Sequence, residues 1–127
     1  WLAKPYFMMA AGVCAAETDE EASYLRSSQL LAFARLRTGR PGKLPRPVEN
    51  LSTEIPEPIL AQVQQSLSCS ATGSLETVRQ ELGALVAKYQ PDELIVTGMI
   101  HDHEARLRSF ALSAVALSEI VQTSQAA

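Results

Sequence analysis

The sequence has little with which to hold nucleic acid or enter a membrane. Its 127 residues carry 11 Lys and Arg against 14 Asp and Glu, a formal net charge of -3. No basic stripe interleaves with aromatic residues, so no nucleic-acid partner is expected. No apolar run approaches the roughly 20 residues that a membrane helix needs. The longest, Tyr6 to Ala16, is rich in small residues and, apart from Lys4, lacks the basic flank of a signal peptide. No membrane association is expected. Only two cysteines occur, Cys14 and Cys69, in unrelated contexts. They suit free thiols in a reducing cytoplasm better than a disulfide, and a cytoplasmic location follows as the expectation. Glycine-rich phosphate loops, the GxSxG elbow and CxxC are all missing. There is no internal repeat and no low-complexity tract.

What is present is ordinary globular composition, 46% apolar and 20% charged, in a chain long enough for one domain. Residues 6–16, "YFMMAAGVCAA", are apolar without helical spacing, which predicts a fully buried strand of the parallel-sheet kind. Thr18 with Glu21 three residues later forms a capping box, and Asp19, Glu20 and Glu21 place negative charge at the positive end of a helix dipole. That acidic cluster reads as a solvated helix start. The helix is expected to reach about Thr38, with Ala22, Leu25, Ala32 and Leu36 as its apolar stripe and Gly39 as its stop.

Residues 39–58, "GRPGKLPRPVENLSTEIPEP", hold five prolines and two glycines. The stretch is too irregular for strand or helix and too long for an ordinary connection, so a lid is expected. Arg40, Lys43 and Arg46 make it locally basic. Pro58 then suits a helix first turn, followed by Leu60, Val63 and Leu67 as a short stripe. A very short strand is expected around Leu67 to Thr72.

Ser74 caps the next helix, Gly73 allows the sharp entry, and Pro91 ends it. Leu75, Val78, Leu82, Leu85, Val86 and Tyr89 repeat at three- and four-residue spacing, so one face should pack on a sheet. "ELIVTG" predicts a buried strand that leaves the sheet at Gly98. Asp102 is the expected N-cap of a last helix, whose packed stripe would be Leu107, Phe110, Ala111, Ala114, Val115 and Val121, with fraying after Thr123.

The order is α/β with parallel strands and flanking helices. About three strands are too few for a closed or doubly wound sheet, and the first residue is Trp1. The chain therefore reads as the C-terminal part of a larger α/β protein. Chemistry in such folds sits at the C-terminal ends of strands. His101 stands just past one, as a candidate general base or polar pocket wall. His101-Asp102-His103 lacks a third histidine and an orienting shell, so no metal is expected. Thr97, Gly98 and Met99 share that mouth and could line a pocket or simply end the strand. Gly73-Ser74 offers free N–H groups at a helix start, the geometry that binds phosphate, but such a turn alone is a weak signal.

Four stretches together resemble bacterial luciferase-like flavin-dependent monooxygenases: "KPYFMMAAGVCAAETDEEASYL", "GRPGKLPRPVENL", "TGSLETVRQELGALVAKYQPDELIVT" and "DHEARLRSFAL". They cover most of the chain, in order. Leu75 stands where that family usually has Pro, which forgoes a favoured first-turn residue but no donor. The resemblance implies the C-terminal portion of a TIM (β/α)8 barrel spanning residues 1–127, with its last two or three strand–helix units. It implies reduced FMN and O2 acting on a small organic substrate, with the deazaflavin F420 as the alternative cofactor. A flavin reductase and a homo- or hetero-oligomeric state are the partners it implies. Residues 39–58 match the family's mobile loop, so Arg40 and Lys43 join Thr97 and Met99 as pocket or lid candidates, and His101 is the catalytic candidate. Much of the family's flavin phosphate site lies in earlier strands, so none of it is carried onto Ser74. The fragment alone is expected to be inactive. A small non-catalytic α/β binding or interaction module is the alternative.

Overall fold

The computed structural model describes residues 1–126. Its elements run β1 (Met8–Ala15), α1 (Asp19–Arg37), a 3-10 turn (Leu51–Thr53), α2 (Glu57–Ser66), β2 (Ser70–Gly73), α3 (Leu75–Tyr89), β3 (Glu93–Thr97) and α4 (His103–Ala126). The three strands form one parallel sheet in the order β2-β1-β3. β1 uses its two ends for different neighbours: Met8 to Gly12 pair with Glu93 to Thr97, and Gly12 to Ala15 pair with Ser70 to Gly73.

The helix ends form where the caps are. The Thr18 hydroxyl accepts from the Glu21 N–H at 3.1 Å, the Ser74 hydroxyl from the Thr77 N–H at 3.4 Å, and the Asp102 carboxylate from the Ala105 N–H at 2.8 Å. The return half of the Thr18 capping box is not made among the described residues. Glu21 instead faces Arg108 at 3.8 Å. Gly39 takes a positive φ of 77° past the end of α1, and Gln90 adopts the left-handed conformation before Pro91 at the end of α3.

Alternation along β1 sorts its side chains onto two unlike faces. Ala11, Val13 and Ala15 pack with Ala71, with Val78 and Leu82 of α3, and with Ala116 of α4. On the opposite face Cys14 meets Ala22 and Leu25 of α1, together with Ile100 and Ala105. That second face is covered only at its C-terminal end. Further down, Met8 is 50% exposed and Ile95 of β3 is 42% exposed. A third cluster, Leu30, Leu31, Ala34, Ile55, Leu60 and Val63, joins α1 to the loop and α2, away from the sheet.

Several expectations change here. β1 and β3 are not buried on both faces, because no helix lies over the Met8 and Ile95 side. The short strand begins at Ser70, since Leu67 caps α2. In α1, Leu36 is 59% exposed and the buried positions are Ala22, Leu25, Ser27, Ser28, Leu30, Leu31 and Ala34. The helix turns one side to the sheet and, further along, another to α2. Tyr89 of α3 is exposed. In α4 the packed face is Ala105, Ser109, Ser113 and Ala116, whereas Leu107, Phe110, Val115 and Val121 are exposed. Small residues bring α4 close enough to β1 for the Ser109 hydroxyl to accept from the Ala15 N–H at 2.9 Å. The helix continues regularly through Ala126 rather than fraying after Thr123.

Candidate functional site

The second half of α1 and the long loop border an open cleft of about 740 Å³, with His101, four residues past β3, at its edge. Leu31, Ala34 and Arg35 of α1 form one wall. Residues 40–46 and 54–56 of the loop form a second, Ile59 of α2 borders it, and His101 closes the side nearest β3. The loop holds its shape through few contacts. The Val48 N–H donates to the Ser27 hydroxyl at 2.8 Å, and the Arg40 N–H to the Arg35 carbonyl at 2.8 Å. Asn50 caps the 3-10 turn by accepting from the Ser52 N–H at 3.1 Å. Ile55, 2% exposed, is its apolar anchor.

His101 is set by its neighbours. Ile100, 1% exposed, plugs the C-terminal end of the sheet, and Asp102 starts α4, so the residue between them points outward. The imidazole is exposed and makes no hydrogen bond among the described residues. His103 is occupied differently: its Nδ1 accepts from the Arg106 guanidinium at 2.7 Å within the first turn of α4. Of the residues singled out in the sequence, the structure brings His101, Arg40 and Lys43 to one cleft. Thr97 and Met99 do not line it. Thr97 ends β3 opposite Gly12, on the side the helices leave bare, and Met99 is 41% exposed, with its sulfur 3.7 Å from the Gln29 amide nitrogen.

Sequence reasoning missed two polar joints that hold the cleft to the sheet. Asp19, read as part of a solvated helix start, accepts from the Ser74 N–H at 2.7 Å and from the Thr77 hydroxyl at 2.8 Å. These bonds hold its carboxyl below the usual carboxylate range, the Ser74 backbone bond first. The N-terminus of α3, which geometry alone makes an anion site, thus already carries a protein carboxylate. Arg26 of α1, half-buried, donates to the Thr72 hydroxyl at 2.7 Å, the Ser70 hydroxyl at 3.0 Å and the Leu67 carbonyl at 3.4 Å. Burial pushes its pKa down. Neither joint had a local signal, since the partners lie far apart in the chain. Arg35 was also missed, because a cation in a last helical turn reads as a partner for the dipole.

Cys14 can be set aside as a nucleophile. Burial pushes its thiol up to about 11, and the sulfur donates to the Ala22 carbonyl at 3.4 Å. Both cysteines are free. No helix among the described residues is long and apolar enough to cross a membrane.

No family model matches the chain. A luciferase-like monooxygenase of Escherichia coli K12 is 38% identical over 112 residues, covering 88% of this chain and 33% of that protein. YvbT of Bacillus subtilis is 34% identical over 113 residues, covering 89% of this chain and 34% of that protein. The crystal structure of apo-MsnO8 superposes with a TM-score of 0.66 at 28% identity, over 90% of this chain and 35% of that one. The chain spans a third of the length of the curated relatives it matches (33% and 34%).

Proposed function

Because this chain is a relative of the luciferase-like monooxygenases, we propose that it acts within a longer protein as the C-terminal part of a flavin-dependent monooxygenase built on a (β/α)8 barrel. One observation carries the barrel reading. β1 and β3 are neighbouring parallel strands, α3 and α4 lie together on one face of them, and the other face is bare below Cys14. A barrel unit needs that asymmetry, since its helices lie outside and its inner face meets other strands. Residues 17–73 are then an insertion between the first strand and its helix. This accounts for β2 standing on the far side of β1 from β3, where consecutive barrel strands would be side by side. The insertion and His101 both sit at the C-terminal ends of the strands, where barrel enzymes do their chemistry.

The chain's own residues suit a flavin there. Ala10 and Gly12 on β1 are small and face the bare side, beside Ile95 and Thr97 of β3. With Thr97 and Met99 they would hold a planar flavin ring in the complete protein. Bound reduced FMN supplies the two electrons for reduction of O2, one oxygen atom going to a small organic substrate and the other to water. His101 borders the cleft, its ring without a hydrogen bond among the described residues, and can hold or pass a proton at a ring nitrogen. Loop 39–58 excludes water by closing over the cleft. A flavin reductase would provide the reduced cofactor, the oligomer would bury the exposed face of α4, and the free thiols suit a cytoplasmic setting.

The test is an anaerobic titration of the full-length protein with reduced FMN and, separately, with reduced F420. Saturable binding of FMN in the micromolar range is expected. Preference for F420 would move the protein to the hydride-transfer branch, and binding of neither would refute the flavin reading. With reduced FMN bound, His101→Ala is expected to lower product formed per flavin oxidised while leaving the fold intact.

A further inference from the structure

One side chain of α1 joins the outgoing arm of the excursion to its returning arm. From the second turn of the helix, the Arg26 guanidinium spreads its two arms over two elements. Nη1 donates to the Thr72 hydroxyl of β2 at 2.7 Å. Nη2 donates to the Ser70 hydroxyl at 3.0 Å and, at 3.4 Å, to the carbonyl of Leu67, the residue that caps α2. The Ser70 hydroxyl itself donates to that carbonyl at 2.6 Å, so the turn from α2 into β2 closes on the guanidinium. Thr72 is held a second time, because its N–H donates to the Glu81 carboxylate of α3 at 2.8 Å. Arg26 thus ties the end of α2 to a strand residue that α3 already fixes.

Arg37 repeats the contact from the far end of α1. It stands eleven residues on, about three turns, and so on the same face. Its guanidinium donates to the Ser66 hydroxyl in the last turn of α2. Two arginines that leave α1 about 16 Å apart therefore converge on the neighbouring residues Ser66 and Leu67. Their settings differ. Arg37 is exposed, whereas Arg26 is half-buried and pairs with no carboxylate among the described residues, where the ion pairs belong to Arg79 and Arg108. A guanidinium in that setting costs free energy that an apolar side chain of similar size would avoid. What it supplies instead is direction. A planar fork donates to two elements at once, which a single ammonium cannot match.

The seat of α2 bears on the cleft, since Leu31 and Arg35 of α1 stand on one side of it and Ile59 of α2 on the other. We propose that Arg26 is a positioning residue, whose two-armed fork seats α2, and the loop that leads into it, against α1 and β2 and so holds the cleft at its width. The seat of α2 is argued from these contacts alone. Its consequence for catalysis rests on the monooxygenase reading.

Hydrogen exchange of the full-length protein without flavin tests the seat. Arg26→Lys keeps the charge and loses the fork. It is expected to speed exchange of the α2 amides (Glu57–Ser66) about tenfold or more, the scale of a lost hydrogen bond to a charged group, while β1 and α3 exchange as in wild type. In Arg26→Ala, added ethylguanidinium should restore slow exchange to α2, and ethylammonium at the same concentration should not. Arg79→Gln, which removes ion pairs on α3 and α4, should leave α2 unchanged. Should Arg26→Ala fail to fold, Arg26→Lys decides by itself. Unchanged α2 exchange in Arg26→Lys, equal acceleration throughout β1 and α3, or no selective rescue by ethylguanidinium would each overturn the proposal. With reduced FMN bound, Arg26→Lys should lower product formed per flavin oxidised and leave FMN affinity unchanged. Altered α2 exchange with unaltered coupling would overturn the part in catalysis alone. Since the exchange needs no flavin, its failure is distinct from a failure of the FMN titration.

Discussion

α3 and the helical excursion at residues 17–67 (α1, the long loop and α2) both pack on the sheet, and they do so by different means. α3 presents Val78 and Leu82, each at 0% exposure, to Ala11, Val13 and Ala15, with Ala116 of α4 beside them. The excursion touches the sheet through Ala22 and Leu25 and is otherwise tied by polar bonds, Asp19 to Ser74 and Thr77, and Arg26 to Ser70 and Thr72. Its main apolar cluster faces inward, between α1, the loop and α2. Dry contact is non-directional and fails only when the whole element leaves, so it makes a frame. Polar joints at a partly wet surface are directional and individually weak, so the element they hold can move on that frame.

The largest effects should come from the frame. Leu82→Ala is expected to cost about 2–5 kcal/mol of global stability in denaturant unfolding of the full-length protein, as a core Leu truncation does. Ile55→Ala removes an equally buried anchor, but from the excursion. Its expected global cost is smaller, about 2 kcal/mol or less, because the loop can collapse around the gap or open locally. If Ile55→Ala destabilised the protein as much as Leu82→Ala, the two regions would be one cooperative unit and the contrast would fail.

Next in size is the Asp19 joint. Its carboxyl is held below the ordinary Asp value of about 3.9 by the bonds from Ser74 and Thr77. A group whose folded pKa is depressed adds stability above its unfolded pKa, and that contribution is lost as pH falls through the folded value. The difference in melting temperature between wild type and Asp19→Asn should therefore stay constant from neutral pH to about 5 and close below about 4. A difference that does not change with pH would mean that the joint does not depend on the charge.

The smallest effect is chemical. Cys14 lies under α1 with its thiol raised by burial, whereas Cys69 is only partly buried. A thiol reagent at pH 8 should label Cys69 within minutes and leave Cys14 unmodified until the protein unfolds. Early labelling of Cys14 would show that α1 lifts from the sheet far more readily than the contacts with Ala22 and Leu25 allow.

Much of the fold was legible because its signals are local. Thr18, Ser74 and Asp102 cap helices where the sequence put them, and the proline-rich stretch after Gly39 is the long loop. The inward face of α4 was not legible. Leu107, Phe110, Val115 and Val121 make the more hydrophobic stripe, yet the helix turns Ala105, Ser109, Ser113 and Ala116 inward, since close approach to β1 favours small side chains. The bare face of β1 was hidden for a related reason. "MMAAGVCA" is apolar on both sides, and hydropathy cannot say which side other strands would cover. At the candidate site, His101, Arg40 and Lys43 come to one cleft, whereas Thr97 and Met99, singled out with them, lie outside it. Arg35 and the joints of Asp19 and Arg26 depend on tertiary contacts, up to 58 residues apart for Asp19 and Thr77, which no local pattern carries.

Hydrogen exchange of the full-length protein, free and then with reduced FMN, tests most directly whether a mobile lid rides on a fixed strand–helix frame. In the free protein the amides of Met8–Ala15 and Glu93–Thr97 should exchange slowly and those of residues 39–58 quickly. Addition of reduced FMN should slow residues 39–58 and leave the strands as they were. Loop amides protected as strongly as the strands before any ligand is added, or loop exchange that the flavin does not slow, would contradict the account.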